Sequence, residues 1–127
     1  MLNTPRPFLI IDDDIVLAEL LSAILEGAGY STVLASSGAE GLCQALKVSP
    51  AVVFCDMRMP GLSGEEVLHE WRADVATAAT PFVLMSGDSP DSRSTKADAF
   101  LAKPFCSNAV LELARTFTAP QATSLAA

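Results

Sequence analysis

Phe8-Leu9-Ile10-Ile11 runs straight into Asp12-Asp13-Asp14, and Val52-Val53-Phe54-Cys55 runs into Asp56. The figure recurs where Phe82-Val83-Leu84-Met85 meets Ser86 and where Ala99-Phe100-Leu101-Ala102 meets Lys103. Short, continuous apolar runs of this kind suit strands of a parallel sheet covered on both faces. In an open parallel sheet the functional site lies beyond the carboxyl ends of the strands, where strand order reverses. Read this way, the four runs deliver three carboxylates, a hydroxyl and an ammonium to one rim. Such a set suits a hard divalent cation and a phosphoryl group.

Between these runs the apolar period becomes helical. Ile15-Val16-Leu17, Leu20-Leu21 and Ile24-Leu25 recur at helical spacing, with Asp14 as the N-cap and Gly27 and Gly29 closing the helix. Thr32 and Val33 mark a strand within Tyr30 to Ala35. Ser37 with Glu40 predicts a capping box before a helix carrying Leu42, Ala45 and Leu46, and Pro50 ends that unit. Ser63 with Glu66 predicts a second box before Val67, Leu68 and Trp71, after a turn at Met59-Pro60-Gly61. Val110, Leu111, Leu113, Ala114 and Phe117 predict a last helix over Phe105 to Phe117. Alternating strands and helices make an α/β, doubly wound parallel sheet the expected fold.

One crossover departs from this pattern. Between Gly87 and Ala99 no large apolar side chain occurs, and a helix packed on a sheet needs an apolar face to bury. The expectation for 88–98 is a short, exposed and mobile connection with at most a turn of helix.

The 127 residues suit one domain with a single core. A net charge of −7 with no run of Lys or Arg argues against direct nucleic-acid binding. No apolar stretch approaches the roughly 20 residues of a membrane span, so no membrane insertion is expected. Four apolar residues before three aspartates are too few for a secretory signal. Cys43, Cys55 and Cys106 have no C-x-x-C spacing, which suits reduced thiols and a cytoplasmic location, with Cys55 as a buried filler.

Taken together, these residues resemble the receiver domain of two-component response regulators. The likeness runs from about Phe8 to Phe117. It rests on Asp12-Asp13, on Cys55-Asp56-Met57-Arg58-Met59-Pro60-Gly61 with Gly64 beyond, on Ser86-Gly87, and on Lys103-Pro104-Phe105. The resemblance implies a flavodoxin-like five-stranded sheet of order 2-1-3-4-5; the polar 88–98 stretch departs from the family and leaves the fourth helix short, irregular or missing. The patternless, proline-containing start and the small, polar end divide the chain into a flexible lead-in over 1–7, the domain over 8–117 and a flexible tail over 118–127.

For chemistry, the resemblance implies that Asp56 is the phosphoacceptor for a phosphohistidine on a sensor histidine kinase or phosphotransfer protein. Mg²⁺ would be held by Asp13, Asp56 and the backbone carbonyl of Arg58, with Asp12 acting through water. Lys103, Ser86 and the Gly87 amide would meet the phosphoryl oxygens. A carboxylate is ionised at neutral pH, and its acyl phosphate is labile enough to be reset by water. Three clustered carboxylates should also push one pKa upward when no cation is bound.

Ser86 with Phe100 is the expected switch pair. Arg58 and Asp88 are expected to face each other as an ion pair that slows hydrolysis, and His69 is expected to be a surface residue. The chain would catalyse only its own phosphorylation and dephosphorylation, signal to a downstream effector protein, and be a monomer or weak dimer. The family commonly signals through its fourth helix, fifth strand and fifth helix, and the polar 88–98 stretch leaves that output route open. Alternatives are an unphosphorylated docking scaffold and a receiver fragment of a larger hybrid kinase or DNA-binding regulator. In another aspartate-nucleophile phosphatase family a second aspartate would stand where Arg58 is. No glycine-rich loop follows the first strand to hold a flavin.

Overall fold

A computed structural model of the chain describes residues 5–87 and 96–118. In chain order it contains β1 (Phe8–Ile11), α1 (Ile15–Gly27), β2 (Thr32–Ala35), α2 (Gly38–Val48), β3 (Val52–Asp56), α3 (Gly64–Ala73), β4 (Phe82–Ser86), β5 (Ala99–Ala102) and α4 (Ser107–Thr118). The strands form one parallel sheet ordered β2-β1-β3-β4-β5. The expected flavodoxin-like order is therefore present, with the reversal between β1 and β3.

Residue alternation along each strand divides the core into two layers. Phe8, Ile10, Phe54, Val83, Met85 and Leu101 point to one side, where α1 and α4 cover them with Leu21, Leu25, Val110 and Ala114. Leu9, Ile11, Val53, Cys55, Phe82 and Leu84 point to the other, where α2 and α3 supply Ala45, Val67, Leu68 and Trp71. Every residue of β1, β3 and β4 is buried, and each large apolar side chain so buried contributes about 1.5–3 kcal/mol. This double coverage explains why those strands read as unbroken apolar runs instead of alternating ones.

The helix starts follow the sequence with one correction. Asp14 caps α1, its side chain accepting from the Leu17 N–H, and the Ser63–Glu66 box before α3 is complete in both directions. Ser37 caps α2, but Glu40 does not close a box with it. Its carboxylate accepts from the N–H and hydroxyl of Ser36 instead. Two donors on one neighbouring residue outcompete the single N–H of the cap, and they hold the Glu40 carboxyl below its usual range.

The apolar stripe of α1 is also wider than the surface that covers it. Ala18, Leu21 and Leu25 are buried, whereas Ile15, Val16 and Leu20 stay at least half exposed. Four helices occur among the described residues, and Lys96–Asp98 enters β5 as bends with no helical turn. Most of the polar 88–98 stretch, together with 1–4 and 119–127, lies outside the described residues. None of the described helices is long and apolar enough to cross a membrane.

Candidate functional site

The sheet's hydrogen-bond ladders continue one residue past the strand ends and so fix where the polar residues emerge. Asp12 N–H donates to Ala35 O at 3.0 Å, Met57 N–H to Met85 O at 2.8 Å, and Lys103 N–H to Ser86 O at 2.8 Å. Helix α3 begins close above β3, with Gly64 N–H donating to Met57 O at 2.8 Å. That approach needs a glycine. A Cβ on Gly64 would lie 2.7 Å from Met57 Cα and 2.9 Å from Leu84 Cδ2, and closer still to the Asp56 carbonyl oxygen.

On this rim, carboxylate oxygens of Asp12, Asp13 and Asp56 lie within 4.8 Å of one another. Asp12 and Asp56 are buried, with 1% and 6% exposure, while Asp13 is open to solvent. Lys103 reaches into the group, its Nζ donating to Asp56 Oδ1 at 2.8 Å and to Asp12 Oδ2 at 3.0 Å. The other Asp12 oxygen accepts the Asp14 N–H at 2.9 Å. Three hard, anionic oxygen donors with one exposed member are the ligand chemistry of a hydrated divalent cation, so the residues present fit one.

Burial pushes the Asp56 carboxyl above its usual range; the Lys103 hydrogen bond and charge oppose this, and the charges of Asp12 and Asp13 add to the rise. The direction is the one expected of crowded acids, but burial contributes more to it than the neighbouring charges do. Burial alone would lower the Lys103 ammonium, but its bonds to Asp56 and Asp12 outweigh that and raise it. Cys55, next to Asp56, is buried as expected, and burial foremost, then the Asp56 and Asp12 charges, pushes its thiol far up. Cys43 and Cys106 are exposed free thiols.

Asp12, Asp13, Asp56 and Lys103 thus converge as the sequence predicted. Ser86 is buried at the end of β4 beside exposed Gly87, and its carbonyl anchors Lys103. Arg58 is exposed two residues beyond Asp56, whereas its expected partner Asp88 lies outside the described residues. Phe100 is half-buried, in register with Leu84 and against the layer that holds Trp71. His69 is exposed on α3.

Two features escaped the sequence reading. One is the bond from Lys103 to Asp12, which makes the ammonium a bridge between two acids. The other is Arg72, which binds Asp98 and three backbone carbonyls at the opposite end of the sheet. No local pattern announces either contact, because each joins segments far apart in sequence.

Comparison with known proteins follows the same lines. The family described as the response regulator receiver domain matches residues 8–115. The DNA-binding dual master transcriptional regulator RpaA of Synechocystis is 34% identical over 128 residues, covering 93% of this chain and 53% of RpaA. The chain spans about half the length of the curated relatives it matches. Among solved structures, a putative response regulator from Chloroflexus aurantiacus superposes with a TM-score of 0.84 at 31% identity, covering 92% of this chain and 100% of that one. The receiver domain of sensor histidine kinase PA1611 from Pseudomonas aeruginosa, described with a magnesium ion coordinated in its active site cleft, has the same fold. Its TM-score is 0.81 at 20% identity, covering 90% of this chain and 98% of that one. With the family match spanning all five strands and the acidic pocket, the chain belongs to the response regulator receiver domains of two-component systems.

Proposed function

We propose that Asp56 accepts a phosphoryl group from a phosphohistidine donor and that the phosphorylated domain then engages an effector protein. The observation that carries this reading is the Lys103 ammonium held 2.8 Å from Asp56 Oδ1 and 3.0 Å from Asp12 Oδ2. An Asp56 oxygen attacks phosphorus, the P–N bond to the donor imidazole breaks, and the imidazole leaves with a proton from solvent. Phosphoryl transfer asks mainly for in-line positioning and for charge opposite the equatorial oxygens. Lys103 supplies one such charge; Ser86 Oγ and the Gly87 N–H, at the end of β4, supply hydrogen bonds. Bound at Asp12, Asp13, Asp56 and the Arg58 carbonyl, Mg²⁺ would neutralise further phosphoryl charge.

The donor needs a surface beside the pocket. Exposed Ile15, Val16 and Leu20 lie on the helix that starts directly after the acidic turn, which supports docking of an apolar helical face there. Free cysteines support a reducing, cytoplasmic setting. Movement of Ser86 toward the phosphoryl group, with Phe100 turning inward, is the switch in this reading. It predicts a Phe100-centred change in chemical shifts on adding a phosphoryl mimic, and unchanged shifts there oppose it. An Arg58–Asp88 pair over the pocket predicts faster dephosphorylation of Arg58→Ala; an equal rate removes the pair from the mechanism. The defining experiment incubates the protein with acetyl phosphate and Mg²⁺ and weighs it. A phosphoryl adduct absent from Asp56→Asn is expected, and no adduct on the wild-type chain favours the docking scaffold.

A further inference from the structure

β5 carries Lys103 to the pocket, yet it is poorly held by packing. It is a four-residue edge strand in which only Leu101 is buried, Ala99 and Phe100 are half-buried, and Ala102 is exposed. Register is well specified where one face of a strand is deeply buried and weakly specified where it is not. A different device fixes its start. Asp98 brackets a single residue of β4: its N–H donates to Phe82 O at 2.8 Å and its Oδ2 accepts the Phe82 N–H at 2.8 Å. One side chain and one amide of Asp98 can meet the same residue in only one register.

Arg72 at the end of α3 completes the device. Its guanidinium donates to Asp98 Oδ2 at 2.7 Å, to Lys96 O at 2.8 Å, to Ala78 O at 2.9 Å and to Thr80 O at 3.1 Å. It therefore gathers the chain entering β4 and the chain entering β5 on one planar fork, a task for which a lysine has the charge but not the geometry. The bonds are partly shielded, since the Arg72 side chain is 22% exposed and Asp98 39%.

We infer that Asp98 and Arg72 are positioning residues for phosphoryl acceptance: they fix β5 from its far end and so hold Lys103 over Asp56. From Asp98 to Lys103 is five residues, about 17 Å of strand, and the Lys103 N–H bond to Ser86 O closes the other end of the same ladder. The claim deepens the phosphoacceptor reading and rests on it for its consequence, but its structural part stands apart.

The experiment has two readouts. Amide hydrogen exchange compares Lys103 with Asp12 and Met57 in wild type and Asp98→Ala. The Lys103 amide is expected to exchange about tenfold faster or more, with the other two unchanged, because only β5 is released. Equal acceleration at all three, or none, overturns the inference. Phosphorylation by acetyl phosphate with Mg²⁺ is then followed in Asp98→Ala, Lys103→Ala and the double variant, well below each melting temperature. Asp98→Ala should be slowed roughly tenfold, since misplacing a group by about 1 Å costs up to about 100-fold. Adding it to Lys103→Ala should change little, because both act through one ammonium. Multiplying effects would assign Asp98 a general structural role and refute positioning.

Arg72→Lys should fail to restore the wild-type rate; full activity would overturn the role of the fork. If Asp98→Ala does not fold, Asp98→Asn keeps an oxygen for Phe82 N–H while removing the anion, and the same comparisons apply. Absence of any Asp56-dependent adduct on the wild-type protein would refute the phosphoacceptor reading alone, and Lys103 exchange would still decide the β5 claim.

Discussion

Replacing Lys103 by methionine keeps the aliphatic stem and removes a cation bonded to two acids of the pocket. At an effective dielectric of about 20, contacts of 2.8 and 3.0 Å are worth about 6 and about 5.5 kcal/mol in gross attraction. At the same dielectric, two charged carboxylates whose oxygens lie within 4.8 Å of each other repel by about 3.5 kcal/mol or more. The net loss is smaller, because a crowded carboxyl takes up a proton, and each unit of pKa displacement caps the loss at about 1.4 kcal/mol.

The direction with pH follows from Asp56. Its folded pKa lies above the unfolded one, so its contribution to stability is present at low pH and is lost as pH rises through the folded value. Lys103 pulls that value down, and without it the window of loss moves to higher pH and deepens. Lys103→Met should therefore cost least at acid pH and most at alkaline pH, the latter reaching about 3 kcal/mol, the low end of the range for breaking a buried pair. For a domain of this size the latter is about 10 °C in melting temperature. Urea unfolding in EDTA, followed by fluorescence of buried Trp71, measures both values. A cost that is the same at acid and alkaline pH would refute the account of Asp12 and Asp56 as acids restrained by the Lys103 ammonium.

The other predictions concern the cation and the close approach of α3. Mg²⁺ at 100 times its dissociation constant should stabilise the wild-type protein by about 2.7 kcal/mol; thermal melts should show the rise, and an unshifted melt denies a divalent site. Asp13→Asn should be more stable than wild type in EDTA, since one of the charges raising the Asp56 pKa is gone, yet should lose most of the gain from Mg²⁺. A lower melting temperature in EDTA contradicts this. Gly64→Ala should cost about 1–3 kcal/mol through the forced contact with Met57 and Leu84, and a change in urea midpoint worth under about 0.5 kcal/mol would show that α3 shifts freely.

The pocket was legible because a parallel sheet projects the residue after each strand to one rim, so four strand ends announce four neighbours without any knowledge of loops. Asp12, Asp56, Ser86 and Lys103 could be read for that reason. The contacts that were not legible depend on distances between elements. Glu40 left its expected cap for Ser36 because two donors lay within reach. Arg72 and Asp98 are 26 residues apart and meet only because α3 ends beside the start of β5. Helical spacing likewise located α1 without saying which of its apolar residues face inward: Ala18, Leu21 and Leu25 are buried, whereas Ile15, Val16 and Leu20 stay at least half exposed.

The three thiols also have a practical consequence. Cys55 is sealed in the sheet and held in its protonated form, so maleimide or iodoacetamide should pass it by while the fold is intact. Cys43 rides on α2 on one flank, and Cys106 precedes α4 on the other. The unaltered chain thus carries two sites for dyes that straddle the sheet, a built-in molecular ruler for following any shift between flanks by energy transfer.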